Sequence, residues 1–109
     1  MPYAPQQGDI IYMDFSPQTG HEQKGRRPAL IVSNNSFFAR THMAIVCPIT
    51  YTNNGYPLHI LLDNRTKTTG VIECERCKSL DITARNACYE ESLPADILNK
   101  ALSYIKLFF

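Results

Sequence analysis

Pro28-Ala29-Leu30-Ile31-Val32-Ser33 is the stretch that decides the fold class. It is a continuous apolar run, typical of a buried β-strand. Pro28 has no N–H to give a sheet, so it fits only as the first residue of that strand. Upstream, residues 9–15 read Asp-Ile-Ile-Tyr-Met-Asp-Phe and alternate as a strand does, with Ile11, Met13 and Phe15 on one face. Downstream, residues 43–50 form a third strand, and Pro48 near its end predicts an edge or a bulge. Residues 51–57, with Asn53-Asn54-Gly55, form a turn. Residues 58–62 are a fourth strand, 70–74 and 76–80 a short fifth and sixth, and 84–89 a seventh.

The C-terminus changes period. Ile97, Leu98, Ala101, Leu102, Ile105, Phe108 and Phe109 fall on one helical stripe. Pro94 suits the first turn and Asp96 lies near the positive end of the helix dipole. Many short strands followed by one amphipathic helix predict a mainly β protein, a compact barrel or curled sheet with the C-terminal α-helix packed on it.

The chain has 109 residues, which predicts one domain spanning 1–109. An apolar content of 44% is that of a globular chain. No stretch is apolar enough to cross a bilayer. The start, Met1-Pro2-Tyr3-Ala4-Pro5, has neither the basic nor the apolar region of a signal peptide, so a cytoplasmic location is expected. In that setting Cys47, Cys74, Cys77 and Cys88 are expected as reduced thiols. The formal net charge of +1 means that a nucleic-acid site has to be a local basic patch.

Three groups of residues could carry chemistry. The polar loop from Gly20 through His21, Glu22, Gln23 and Lys24 to Arg27 opens directly into the buried strand. Pro28 restricts Arg27 to extended conformations, which aims a planar fork of donors from a rigid strand start, a good arrangement for a phosphate. The same charges would also suit a plain solvated loop. Thr50-Tyr51-Thr52-Asn53-Asn54 offers hydroxyl and amide groups to a phosphate or a base edge, and equally to ordinary turn chemistry. Cys74-Glu75-Arg76-Cys77 has zinc-ligand spacing, but no second such pair follows, and alternating strands would point the two thiols to opposite faces. His59, between Leu58 and Ile60, reads as a surface-facing strand residue, and His21 as a loop residue able to titrate near neutrality.

The blocks Gly8-Asp9-Ile10-Ile11-Tyr12-Met13-Asp14-Phe15-Ser16-Pro17, Glu22-Gln23 with Gly25, and Arg27-Pro28-Ala29-Leu30-Ile31-Val32-Ser33 resemble the MazF/PemK family of toxin endoribonucleases. The likeness continues through Val46-Cys47-Pro48-Ile49-Thr50, Gly55-Tyr56-Pro57 and Lys78-Ser79-Leu80-Asp81, in order and spacing along nearly the whole chain. It departs at His21, where serine or threonine is usual, and Arg26 is a variable position. The resemblance implies an SH3-like antiparallel β-barrel with a C-terminal helix, a homodimer with single-stranded RNA bound along the interface, and an antitoxin whose acidic, flexible tail occupies the RNA groove. It implies metal-independent cleavage, with no metal ligand and no cofactor.

Residue by residue, the resemblance puts the family's key cation at Arg27 and its threonine at Thr50. Glu22 and Gln23 match loop residues associated with substrate. Lys24 of the same loop, Tyr51 and Lys78 are further RNA contacts to expect, with Tyr56 beside them. RNA supplies its own nucleophile, the 2′-OH, so positioning and charge stabilisation can provide most of the acceleration. Arg27 would grip the phosphorane and Thr50 would donate to the same oxygens, leaving a 2′,3′-cyclic phosphate and a 5′-OH. Proton transfer falls to water, Glu22 or His21, because an arginine is a poor base near neutrality. Two alternatives accompany this reading. One is a non-catalytic toxin of the same fold binding a protein such as DNA gyrase; the other is a zinc-stabilised interaction module.

Overall fold

The computed structural model describes residues 3–15 and 25–109. Seven strands and two helices follow one another as β1 (Asp9–Asp14), β2 (Arg26–Ile31), α1 (Asn35–Thr41), β3 (Ala44–Thr50), β4 (His59–Leu61), β5 (Val71–Glu73), β6 (Lys78–Leu80), β7 (Cys88–Ser92) and α2 (Ala95–Lys106). A 3-10 turn, Cys74–Arg76, joins β5 to β6. All strand pairs are antiparallel, in the order β4-β5-β3-β2-β1-β7, with β6 also paired to β3. The fold is therefore mainly β with a C-terminal helix, as expected, but the barrel is not closed. The path ends at β4 and β7, which do not pair with each other.

The uninterrupted apolar run in β2 has a direct cause: both faces of the strand are covered. Leu30 and Val32 face one core with Ile10, Cys47, Ile49 and Ile72, closed by Ile97 and Ala101 of α2. Ala29 and Ile31 face a second core with Ile11, Met13, Ala44, Val46 and Ile82. Each buried Ile or Leu is worth roughly 1.5–3 kcal/mol of transfer free energy, so these two layers dominate the stabilisation. Alternation in β1 divides its side chains the same way, Ile10 to the first core and Ile11 and Met13 to the second.

Several details differ from the sequence-based expectation. β2 starts at Arg26, so Pro28 is its third residue and pairs with Tyr12. It is tolerated because registered pairing with β3 begins only at Ala29, one residue past the missing donor. Pro48 lies on a central strand, not an edge. It falls where the other side of β3 changes partner, from β6 at residues 44–46 to β5 at residues 49–50. The expected sixth strand loses residues 76–77 to the 3-10 turn and its junction, and the seventh runs Cys88–Ser92 instead of 84–89.

Helix α1 had no counterpart in the expectation. Asn34 caps it by accepting from the Phe37 N–H at 2.9 Å, and His42 ends it in the left-handed region. In α2, Pro94 is the cap residue preceding the first turn, and the helix stops at Lys106. The apolar stripe therefore ends at Ile105; Phe109 is fully exposed and Phe108 is partly so. Arg65 ties the loop after β4 to this helix, donating to Asp63 and, at 2.9 and 3.0 Å, to both oxygens of Asp96.

Candidate active-site cleft

Arg27 and Thr50 lie at the end of the β2–β3 ladder. The registered pairs are Ala29 with Pro48, Leu30 with Cys47 and Ile31 with Val46. Continuing that register by two residues sets Arg27 opposite Thr50. Pro28 and Pro48 supply no N–H at this end, so the ladder stops and the strands can part. Two clefts open there. The larger, of about 440 Å³, is lined by Phe15, Arg27, Pro48, Ile49, Thr50, Glu73, Arg76, Cys77 and Lys78. The smaller, of about 280 Å³, is lined by Tyr12, Arg26, Arg27, Pro28, Ile49, Thr50 and Tyr51. Arg27, Ile49 and Thr50 are common to both, so this pair of polar residues stands on the ridge between them.

The two adjacent arginines are used differently. Arg26 is committed: its guanidinium donates to Asp14 at 3.3 Å, to the Tyr12 carbonyl at 3.2 Å and to the Asn86 carbonyl at 3.0 Å. Arg27 points to the other face of the strand, and no hydrogen bond or ion pair engages its guanidinium among the described residues. It is exposed and lines both clefts. Thr50 is held from the opposite side. Gly70, at φ +119°, packs so closely on the Thr50 carbonyl that a β-carbon there would overlap it. Among the described residues the Thr50 hydroxyl accepts only a long bond, 3.3 Å, from the Thr52 N–H, and its own proton is not donated to any of them.

Of the other residues singled out from sequence, Lys78 lines the larger cleft and Tyr51, 74% exposed, lines the smaller. Burial, and then the neighbouring Tyr51, push the Tyr12 hydroxyl above the ordinary tyrosine range. Tyr56 lines neither cleft and instead stacks on His59, with ring centroids 5.0 Å apart. Glu22, Gln23, Lys24 and His21 lie outside the described residues. Phe15, Glu73, Arg76 and Cys77 line the larger cleft without having been anticipated. The last three were read as residues of two straight strands, but the 3-10 turn draws them together.

Cys47, Cys74, Cys77 and Cys88 are unpaired thiols. Cys74 is fully buried, and Cys77 is half-buried in the cleft. Burial pushes the Cys74 thiol up to about 12 and lifts the Cys47 thiol well above its ordinary range. No cysteine belongs to a group of three or more metal-ligand side chains among the described residues. His59 is not surface-facing: its side chain is 3% exposed, with Nε2 2.8 Å from Glu75.

A family described as the PemK-like, MazF-like toxins of type II toxin–antitoxin systems matches residues 6–109. The chain belongs to this family. Similar PemK/MazF proteins include the endoribonuclease toxin MazF of Escherichia coli K12, 36% identical over 85 residues, which are 78% of this chain and 76% of that protein. The endoribonuclease PemK of Escherichia coli is 34% identical over 103 residues, covering 89% of this chain and 76% of that protein. The crystal structure of MazE–MazF (form II) from Deinococcus radiodurans superposes with a TM-score of 0.89 at 34% identity, over 98% of this chain and 96% of that one. The PemK/MazF architecture thus accounts for the open antiparallel sheet and the C-terminal helix. No helix among the described residues is long and apolar enough to cross a membrane.

Proposed function

We propose that this PemK/MazF-family endoribonuclease toxin cuts single-stranded RNA at the ridge where Arg27 and Thr50 meet. The observation that carries the reading is their shared position: both residues line both clefts, and the strand register sets them opposite each other. A strand laid over the ridge would place a phosphate between them, with one flanking nucleotide in each cleft. Arg27, Arg76 and Lys78 supply the local positive charge that the net charge of +1 does not. Tyr51 and Phe15 offer rings on which splayed bases can stack, one in each cleft.

The reaction needs the 2′-OH aligned on the adjacent phosphorus, charge neutralised on the phosphorane, and protons moved to and from the ribose oxygens. Arg27 provides a charge-assisted donor fork and Thr50 a neutral hydroxyl donor to the non-bridging oxygens. Water, Glu22 or His21 carries the protons. The 2′-oxygen bonds to phosphorus and the P–O5′ bond breaks, so the products are a 2′,3′-cyclic phosphate and a 5′-OH. No metal enters this chemistry. The protein acts in the cytoplasm as a homodimer, recognises a short RNA sequence, and is silenced by an antitoxin whose acidic tail competes for the same cations.

The test is an RNA with a single 2′-deoxyribose at the scissile nucleotide, incubated in EDTA. It is expected to remain intact while its all-ribose twin is cut to a cyclic phosphate end. Cleavage of the deoxy substrate would show that the attacking group is not the 2′-OH.

A further inference from the structure

Beneath the Glu73 wall of the larger cleft, three ligand-type side chains converge from two segments of the chain. β4 and β5 pair so that His59 lies directly opposite Glu73. The 3-10 turn that follows brings Glu75 over the same imidazole. The His59 Nε2 is 2.8 Å from a Glu75 oxygen and 4.0 Å from a Glu73 oxygen, and the three ligand atoms all lie within 4.8 Å of one another. Tyr56 packs against the ring, with centroids 5.0 Å apart.

Charge and hydrogen bonding are both unbalanced here. Two carboxylates face each other across one imidazole, which can donate only a single N–H to them in its neutral form. The nearest described cation is Arg76, with Nε 3.9 Å from Glu73 and a side chain 69% exposed, so it is a loose and solvated partner. The His59 side chain is only 3% exposed, yet its Nδ1 has no hydrogen-bond partner among the described residues. In the neutral ring a proton on Nε2 donates to Glu75, and a metal ion that takes Nε2 displaces that proton.

We propose that His59, Glu73 and Glu75 form a binding site for one divalent first-row metal ion, for which Zn²⁺ is the fitting probe. Zinc bonds to imidazole nitrogen and carboxylate oxygen are about 2.0–2.2 Å, so tetrahedral ligands stand roughly 3.4 Å apart. The His59–Glu spacings of 2.8 and 4.0 Å bracket that value, and all three ligand atoms lie within 4.8 Å of one another. One nitrogen and two oxygens suit zinc better than a calcium-type all-oxygen shell. Glu73 and Glu75 keep 16% and 28% exposure, which gives the ion a path in and leaves a fourth position for water. The ion would neutralise the carboxylate pair and clip β4, β5 and the 3-10 turn together. Arg27 and Thr50 are not its ligands, so the ion takes no part in the bond-breaking step, although Glu73 also lines the larger cleft.

The test is calorimetric titration of the metal-free protein with Zn²⁺, paired with Co²⁺ absorption spectra and thermal melts. One ion per protomer is expected, with a raised melting temperature and no thiolate-to-cobalt charge-transfer band. His59→Gln and Glu75→Gln should each weaken binding at least about tenfold, while Cys77→Ser leaves it unchanged. Both Gln variants retain a polar group of similar shape, and melts in EDTA establish that each is folded. No zinc binding by the wild type would overturn the proposal. So would binding that survives in both Gln variants, or a thiolate band that disappears in Cys77→Ser, because the ligands would then lie elsewhere.

Discussion

Gly70 holds its place against the carbonyl of Thr50 only because it has no side chain. A β-carbon built on it would overlap the Thr50 carbonyl oxygen and come within 3.0 Å of the carbonyl carbon, on backbone already at φ +119°. The end of β3 therefore depends on a residue twenty positions away in sequence. Gly70→Ala is expected to destabilise the fold by about 1–3 kcal/mol through strain alone. It should also lower RNA cleavage by more than that loss explains, because Thr50 must move. Denaturant unfolding and cleavage rates measured on the folded fraction separate the two effects.

Arg27 and Arg26 predict a contrast. Arg27→Lys keeps the charge but loses the planar fork, and cleavage should fall about 10²-fold or more with a smaller change in RNA affinity. Single-turnover rates at saturating protein read the first quantity and a salt-dependent binding isotherm the second. Near wild-type cleavage by the lysine variant would show that fork geometry has no role.

Arg26→Ala, one residue away, removes bonds to Asp14, Tyr12 and Asn86 that are exposed to solvent. It should cost less than about 1 kcal/mol of stability and leave cleavage within a few-fold of wild type. The pair of variants thus tests which arginine serves the scissile phosphate, with thermal melts controlling for folding.

Acid should unfold the protein in a way that depends on Glu91. Burial alone would raise its carboxyl, but N–H bonds from Lys67 and Thr68 and the Thr68 hydroxyl outweigh burial and hold it below its ordinary value of 4.5. A carboxyl depressed in the folded state stabilises above its unfolded value, and that stability is lost as pH falls through the folded value. Arg65 holds Asp63 and Asp96 low in the same direction. Denaturant midpoints should be flat near neutrality and drop below about pH 4.5. Glu91→Gln should lower the neutral plateau and make the acid drop shallower.

Thiol reactivity should separate the four cysteines. Cys88 is exposed and Cys77 half-buried, while Cys47 and Cys74 are buried with thiols raised by that burial. Iodoacetamide is expected to label Cys88 first, then Cys77, and to leave Cys47 and Cys74 unmodified in the folded protein. Because Cys77 lines the larger cleft, its alkylation should block RNA cleavage, and Cys77→Ser should abolish that sensitivity. Mass mapping of the labelled peptides provides the order.

The buried strand, which runs Arg26–Ile31 where 28–33 was expected, and the helical stripe as far as Ile105 were legible because burial on two faces, or along one stripe, writes directly into apolar period. α1 was not legible: none of its residues is buried, so it carries no such period. Phe108 and Phe109 continued the stripe on paper, but the helix ends before them. His59 looked outward because an alternating strand says so, and a carboxylate from the next turn then covers it. Arg27 and Thr50 were visible through the family resemblance and through Pro28. Glu73 and Arg76 were hidden because their place in the cleft is set by a three-residue turn that no periodicity announces.

The most direct test of the Arg27–Thr50 site is primer-extension mapping of cut ends on a long unstructured RNA in EDTA, comparing wild type with Arg27→Ala. Discrete stops with the wild type and none with the folded variant are expected. The same stops with Arg27→Ala, or an RNA left whole by the wild type, would contradict it.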